Sequence, residues 1–179
     1  MTFHDLHEIY RDKERVLDAM EKTVRPLSAS QLSFRPSPGA WTVAEIVEHV
    51  SIVETAVIRL VRSLTQKAES ARGTVPGPLE VTLDDGLRSG ETGKIKTRAE
   101  FEPTGNVPAG ESLQNLRSIQ AAFVDLRPRL AAVDLSSVKF PHPALGALTL
   151  GEWCALFGVH EERHLSQIRS VAASPAFPR

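Results

Sequence analysis

Trp41-Thr42-Val43-Ala44-Glu45-Ile46-Val47-Glu48-His49 carries the sharpest structural signal in the chain. Thr42 followed three residues later by Glu45 is a capping box, in which a hydroxyl and a carboxylate satisfy backbone N–H groups left free by the first helical turn. Trp41 and Ile46 occupy the two positions of a hydrophobic staple, so a helix begins here. Ile46, Val50, Val53, Val57, Leu60, Val61 and Leu64 continue it as one apolar stripe to about Ala68. Beyond that, Gly73, Pro76, Gly77 and Pro78 prevent continuation. The same grammar recurs at Leu148-Thr149 with Glu152 and Trp153, which starts a second well-specified helix running to about Ala172.

Two more segments have helical periodicity. From about Asp5 to Val24, Leu6, Ile9, Val16, Leu17, Met20 and Val24 return at three- and four-residue intervals between charged positions. From Ser112, read as an N-cap, to about Val133, Leu113, Leu116, Ile119, Phe123, Leu126 and Leu130 line one face, and Pro128 should kink the helix or end its regular part. The chain is thus predicted to be all-α. Residues 27–41 and 134–148 form connections, and residues 69–111 form a long one that is a candidate lid. Val81 to Phe101 could hold a short strand pair or fold over the helices.

With 179 residues the chain is long enough for one sizeable core and is read as one domain, residues 1–179. Hydrophobic residues make up 41% and charged residues 24%, a globular composition. The net charge of −1 provides no basic field, so neither nucleic acid nor an anionic membrane is an expected partner. No run approaches the roughly 18 apolar residues of a membrane span, and the first residues lack a secretory signal, so a cytoplasmic location is expected. Cys154 is the sole cysteine, which excludes an intrachain disulfide and a thiolate-rich zinc site.

Within the last helix, Trp153, Phe157, His160, His164, Ile168 and Val171 share one stripe. Two histidines at i and i+4 stand one turn apart and can aim two imidazoles at one cation; the same pattern also suits two core histidines, each satisfied by a hydrogen bond. His160-Glu161-Glu162-Arg163-His164 is also a literal H-E-x-x-H, which would make Glu161 the general base of a zinc protease. That reading needs a third ligand, and residues 165–179 contain no His, Asp, Glu or Cys. His49, at the margin of the apolar stripe that begins at Ile46, is the upstream residue best placed to complete a three-histidine site. Glu45 and Glu48 are candidate supports for His49, and Glu161 or Glu162 for the pair, with capping and solvation the simpler roles for Glu45 and Glu162. His4 and His7 lie among charged neighbours, His142 in a loop, and Cys154 reads as an inert buried thiol.

Residues 32–49, Leu-Ser-Phe-Arg-Pro-Ser-Pro-Gly-Ala-Trp-Thr-Val-Ala-Glu-Ile-Val-Glu-His, followed by His142-Pro143-Ala144-Leu145-Gly146 and by His160-x-x-x-His164, resemble the DinB/YfiT-like superfamily. The resemblance implies a four-helix bundle that binds one divalent metal through His49, His160 and His164. In that superfamily some members are thiol-dependent transferases or isomerases and others are labelled metal-dependent hydrolases.

Three neutral imidazoles leave coordination positions free, as catalytic rather than structural sites do. The leading expectation is a metalloenzyme that activates a low-molecular-weight thiol for transfer to an electrophile on a small-molecule substrate. The alternatives are hydrolysis by metal-bound hydroxide and a non-catalytic bundle stabilised by its metal. Zinc or nickel is the expected ion, with iron a further candidate. A spare helix face leaves room for a homodimer. His49 lies near the start of its helix and His164 towards the end of the last, so their meeting requires those two helices to be antiparallel. That demands crossover connections, for which residues 27–41 and 134–148 are long enough.

Overall fold

In the computed structural model, which describes residues 1–71, 76–89 and 97–179, helices α1 (Leu6–Val24), α2 (Ala29–Leu32), α3 (Val43–Ser70), α4 (Asp85–Ser89), α5 (Ala109–Asp125), α6 (Arg127–Leu130) and α7 (Leu150–Ala172) accompany two antiparallel strand pairs. These pairs are β1 (Thr2–Phe3) with β2 (Val81–Thr82), and β3 (Lys139–His142) with β4 (Gly146–Thr149). Capping boxes start α3 at Thr42 and α7 at Thr149, each closed by reciprocal bonds with Glu45 or Glu152. Among the described residues, no helix is long and apolar enough to cross a membrane.

Side-chain pairs between helices give the topology. Asp12 lies against Gly158, Lys13 bonds Glu161 and Arg15 bonds Glu162, so α1 and α7 run parallel. Tyr10 donates to the Phe123 carbonyl, while Arg117 pairs with Asp18 and Glu21, so α1 and α5 run in opposite directions. Asn115 bonds Ser51 and Thr55, and Arg129, just beyond α5, pairs with Glu69, so α3 and α5 are parallel. It follows that α3 and α7, which pack directly together, are antiparallel.

The connection that travels back along the bundle is the one between α3 and α5. A 28-residue helix is about 42 Å long at 1.5 Å per residue, and this return covers that length. Residues 25–42 instead turn at one end of the bundle and residues 131–149 at the other, so the lengthwise crossover falls to residues 71–108 rather than to 27–41 or 134–148. Its described parts trace the path. Val81 pairs with Phe3 beside Gly151 at the start of α7. Arg88 of α4 then donates to Asp12 and Glu162. Finally a 3-10 turn at Ala99–Phe101 brings Thr104 and Gly105 to α3. Gly73 and part of the candidate lid, residues 72–75 and 90–96, lie outside the described residues.

In local detail the structure departs from the sequence expectations. The third long helix starts at Ala109, not after Ser112, because the Pro108 carbonyl accepts from both Glu111 and Ser112 N–H groups and winds the turn earlier. It ends at Asp125, and the short α6 takes up Pro128. The strand in the 81–101 region pairs with the N-terminus rather than with a neighbour in its own segment. Residues 139–149 form a hairpin whose return strand begins at Gly146, with φ +80°. On α3, the buried line runs Ile46, Val50, Glu54, Ile58, Val61 and Leu64, while Val53 and Val57 are only half-buried.

Candidate metal centre

The capping box sets the phase of α3, and that phase puts His49 two turns in, on the face turned toward α7. His160 and His164 come from the middle of α7, one turn apart. Antiparallel packing brings the three together, with ligand atoms all within 4.8 Å of one another. Ring centroids are 4.7 Å apart for His49 and His164, 4.6 Å for His160 and His164, and 5.5 Å for His49 and His160. His49 and His164 are buried and His160 is half-buried.

Each ring is oriented differently. His49 Nδ1 donates to the Phe101 carbonyl at 2.7 Å, which leaves Nε2 unprotonated in the neutral ring, with a lone pair that could coordinate a cation. His164 Nδ1 meets Gln167 Oε1 at 2.9 Å. His160 Nδ1 is buried and takes no hydrogen bond from the described residues. A buried imidazole nitrogen without a partner is costly unless something coordinates it. The Trp41 ring lies 4.7 Å from His49 and walls that side of the site. Arg35 holds this wall by donating to the Ala40 carbonyl and to Glu45.

Burial lowers the pKa of all three histidines. His164 falls to about 3, with repulsion from His49 adding to desolvation. His160 is also pushed far down, first by burial and then by its two histidine neighbours, and His49 is lowered by burial. At neutral pH all three are therefore neutral, the form that binds a cation.

The carboxylates that neighbour the histidines in sequence bond to other groups. Glu48 is buried and accepts from Thr104 N–H at 2.9 Å, Thr104 Oγ1 at 2.6 Å and Gly105 N–H at 2.8 Å, which anchors the crossover where Phe101 can reach His49. Glu161 is bonded by Lys13, whose ammonium also meets Glu54 at 2.9 Å, and all three are almost fully buried. Burial raises the carboxyls of both Glu54 and Glu161, while Lys13 draws them back. Glu45 serves the cap, and Glu162 pairs with Arg15 and Arg88.

The remaining candidates are elsewhere. His142 stacks on Trp153 with centroids 5.4 Å apart and accepts from Ala144 N–H at 3.2 Å, which shapes the hairpin. His4 and His7 are exposed, and Cys154 is a buried thiol whose pKa burial raises. Sequence reasoning missed Lys13, Glu54, Gln167 and the Phe101 carbonyl. Lys13 had a signal: it lies four residues after Ile9 and three before Val16, inside the apolar stripe of α1. A backbone carbonyl carries none.

A sequence profile of the DinB superfamily matches residues 13–168. The chain belongs to the DinB superfamily. Among curated relatives, YuaE of Bacillus subtilis, named an uncharacterized protein, is 25% identical over 150 residues, covering 83% of this chain and 87% of that one. A protein of Oceanobacillus iheyensis named "Putative metal-dependent hydrolase OB0413" is 25% identical over 170 residues, covering 94% and 86%. In three dimensions the DinB-like bundle is similar to YfiT from Bacillus subtilis, described as "a probable metal-dependent hydrolase with an unusual four-helix bundle topology". The TM-score is 0.63 at 17% identity, with 93% of this chain and 85% of that one covered. It also resembles TT2238, a four-helix bundle protein, with TM-score 0.60 at 23% identity, covering 92% and 98%. The superfamily's divalent cation fits the residues present: three neutral imidazoles converge, and one of them keeps a buried nitrogen free.

Proposed function

We propose that His49, His160 and His164 hold one divalent cation, zinc or nickel with iron a further candidate, and that the protein is a metal-dependent enzyme delivering a small thiol to an electrophilic substrate. The observation that carries this is an all-imidazole donor set with its adjacent carboxylates committed to other partners. Held by these three imidazoles, such a cation would supply a Lewis acid able to lower the pKa of a bound thiol or water. The protein's own residues orient the rings and set Trp41 against His49, and among the described residues none joins the three histidines as an anionic ligand. A soft, anionic thiolate is the incoming group that offsets the uncompensated charge. Glu161, the general base expected of an H-E-x-x-H protease, is turned to Lys13, which argues for a nucleophile that arrives from outside.

A second reading, hydrolysis with water as the nucleophile, is favoured by the names of the relatives. One experiment separates the two. Cobalt-substituted protein, made without a His-tag, is titrated with physiological thiols and then offered ester and amide substrates. Thiol transfer predicts a sulfur-to-metal absorption band that grows with thiol and is absent in His49→Ala. Turnover of an ester or amide with no thiol-dependent band would transfer the assignment to hydrolysis.

A further inference from the structure

We propose that Lys13 is a positioning residue for the three-histidine site: its ammonium, held between Glu54 of α3 and Glu161 of α7, sets the axial register at which His49 meets His160 and His164. The inference rests on the metal reading above and adds a device that reading does not contain.

The ligands come from two antiparallel helices, and most of what joins these helices is apolar. Apolar packing is non-directional, and ridges on a helix repeat every turn, so neighbouring registers differ little in buried area. A slip of one turn moves a side chain 5.4 Å, whereas a metal site needs its ligands within about 0.5 Å of their productive positions. Burial alone therefore does not specify the site. A buried ion cluster does, because any other register leaves a charge unpaired in the interior; setting register is the best-attested role of such clusters.

The placement suits that role. Glu54 lies five residues beyond His49 on α3, and Glu161 follows His160 on α7. Lys13 reaches both from α1, a helix that carries no ligand, and its side chain is fully buried. The one cation thus ties both ligand-bearing helices to a third. Gly158 permits this approach: a Cβ there would lie 2.5 Å from Asp12 Oδ2 and 3.4 Å from Lys13 N. The lysine makes no contact with solvent, and its ammonium also lies 5.8 Å from the centroid of the Phe157 ring on α7, a further contact with that ligand-bearing helix.

The test is cobalt binding to the full chain, read by competition affinity and by the ligand-field spectrum, well below each variant's melting temperature. Lys13→Met removes a positive charge near the site, so a purely electrostatic role predicts tighter cobalt binding. The register role predicts weaker binding, by about 10- to 100-fold, with an altered ligand-field band. Should Lys13→Met fail to fold, the apolar replacement Lys13→Met/Glu54→Leu/Glu161→Met decides, because swapping a whole buried ion cluster for hydrophobic side chains commonly preserves stability. A folded apolar variant with weakened affinity and a changed spectrum supports the proposal. Unchanged or tighter binding with a wild-type spectrum overturns it while leaving the metal reading intact. Wild-type protein that takes up no cobalt overturns both.

Discussion

Acid should weaken the metal-free fold through its buried histidines, and His164 permits a number. Its pKa falls from an ordinary 6.5 to about 3 on burial. Because the folded-state pKa is depressed, the unfolded chain takes up a proton first as pH falls. The neutral-histidine contribution is therefore complete above pH 6.5 and is lost progressively between 6.5 and about 3. At pH 5 the unfolded histidine is protonated and the folded one is not, a difference of 1.5 pH units, or about 2 kcal/mol relative to pH 8. Glu54 and Glu161 act with the opposite sign, since burial raises their carboxyls. The effect must therefore be read as a difference between wild type and His164→Gln. Urea denaturation of chelator-treated protein at pH 8 and pH 5 is the assay. The wild-type midpoint should fall by about 1 M more than that of His164→Gln, for a slope of 1–3 kcal/mol/M. Parallel loss in the two proteins would refute the argument and place His164 in solvent-like surroundings.

Three further outcomes are expected. Alanine at His49, His160 or His164 should remove most bound metal in elemental analysis, whereas His142→Ala, which alters only the hairpin, should leave it in place. Glu48→Ala deletes the acceptor of three hydrogen bonds, so it should lower stability by about 2–3 kcal/mol in urea melts and raise protease cleavage around residues 99–105. Gly158→Ala drives a methyl group against Asp12 and the α1 backbone, and calorimetry should show a loss of about 1–3 kcal/mol.

The two capping-box helix starts and the pairing of His160 with His164 were legible because they are local facts. Thr42 with Glu45 and Thr149 with Glu152 are capping partners three residues apart, and His160 with His164 share a helix face by spacing alone. Adding His49 needed only its place near the start of one helix, and antiparallel packing followed from requiring the three to meet. The start of α5 was misjudged because Ser112 resembles a cap, while the carbonyl of Pro108 winds the turn first.

What tertiary structure alone decided are the pairings between distant residues that no local pattern announces. The crossover lies in residues 71–108 because α3 and α5 are parallel, a relation that no helix records within itself. The buried line on α3 includes Glu54 because Lys13 of another helix waits there to pair with it. Periodicity scores a charge as a surface residue, since an isolated charge is costly to bury. Only the assembled bundle supplies the partner that makes its burial tolerable, and only there does the Phe101 carbonyl reach the ring it orients.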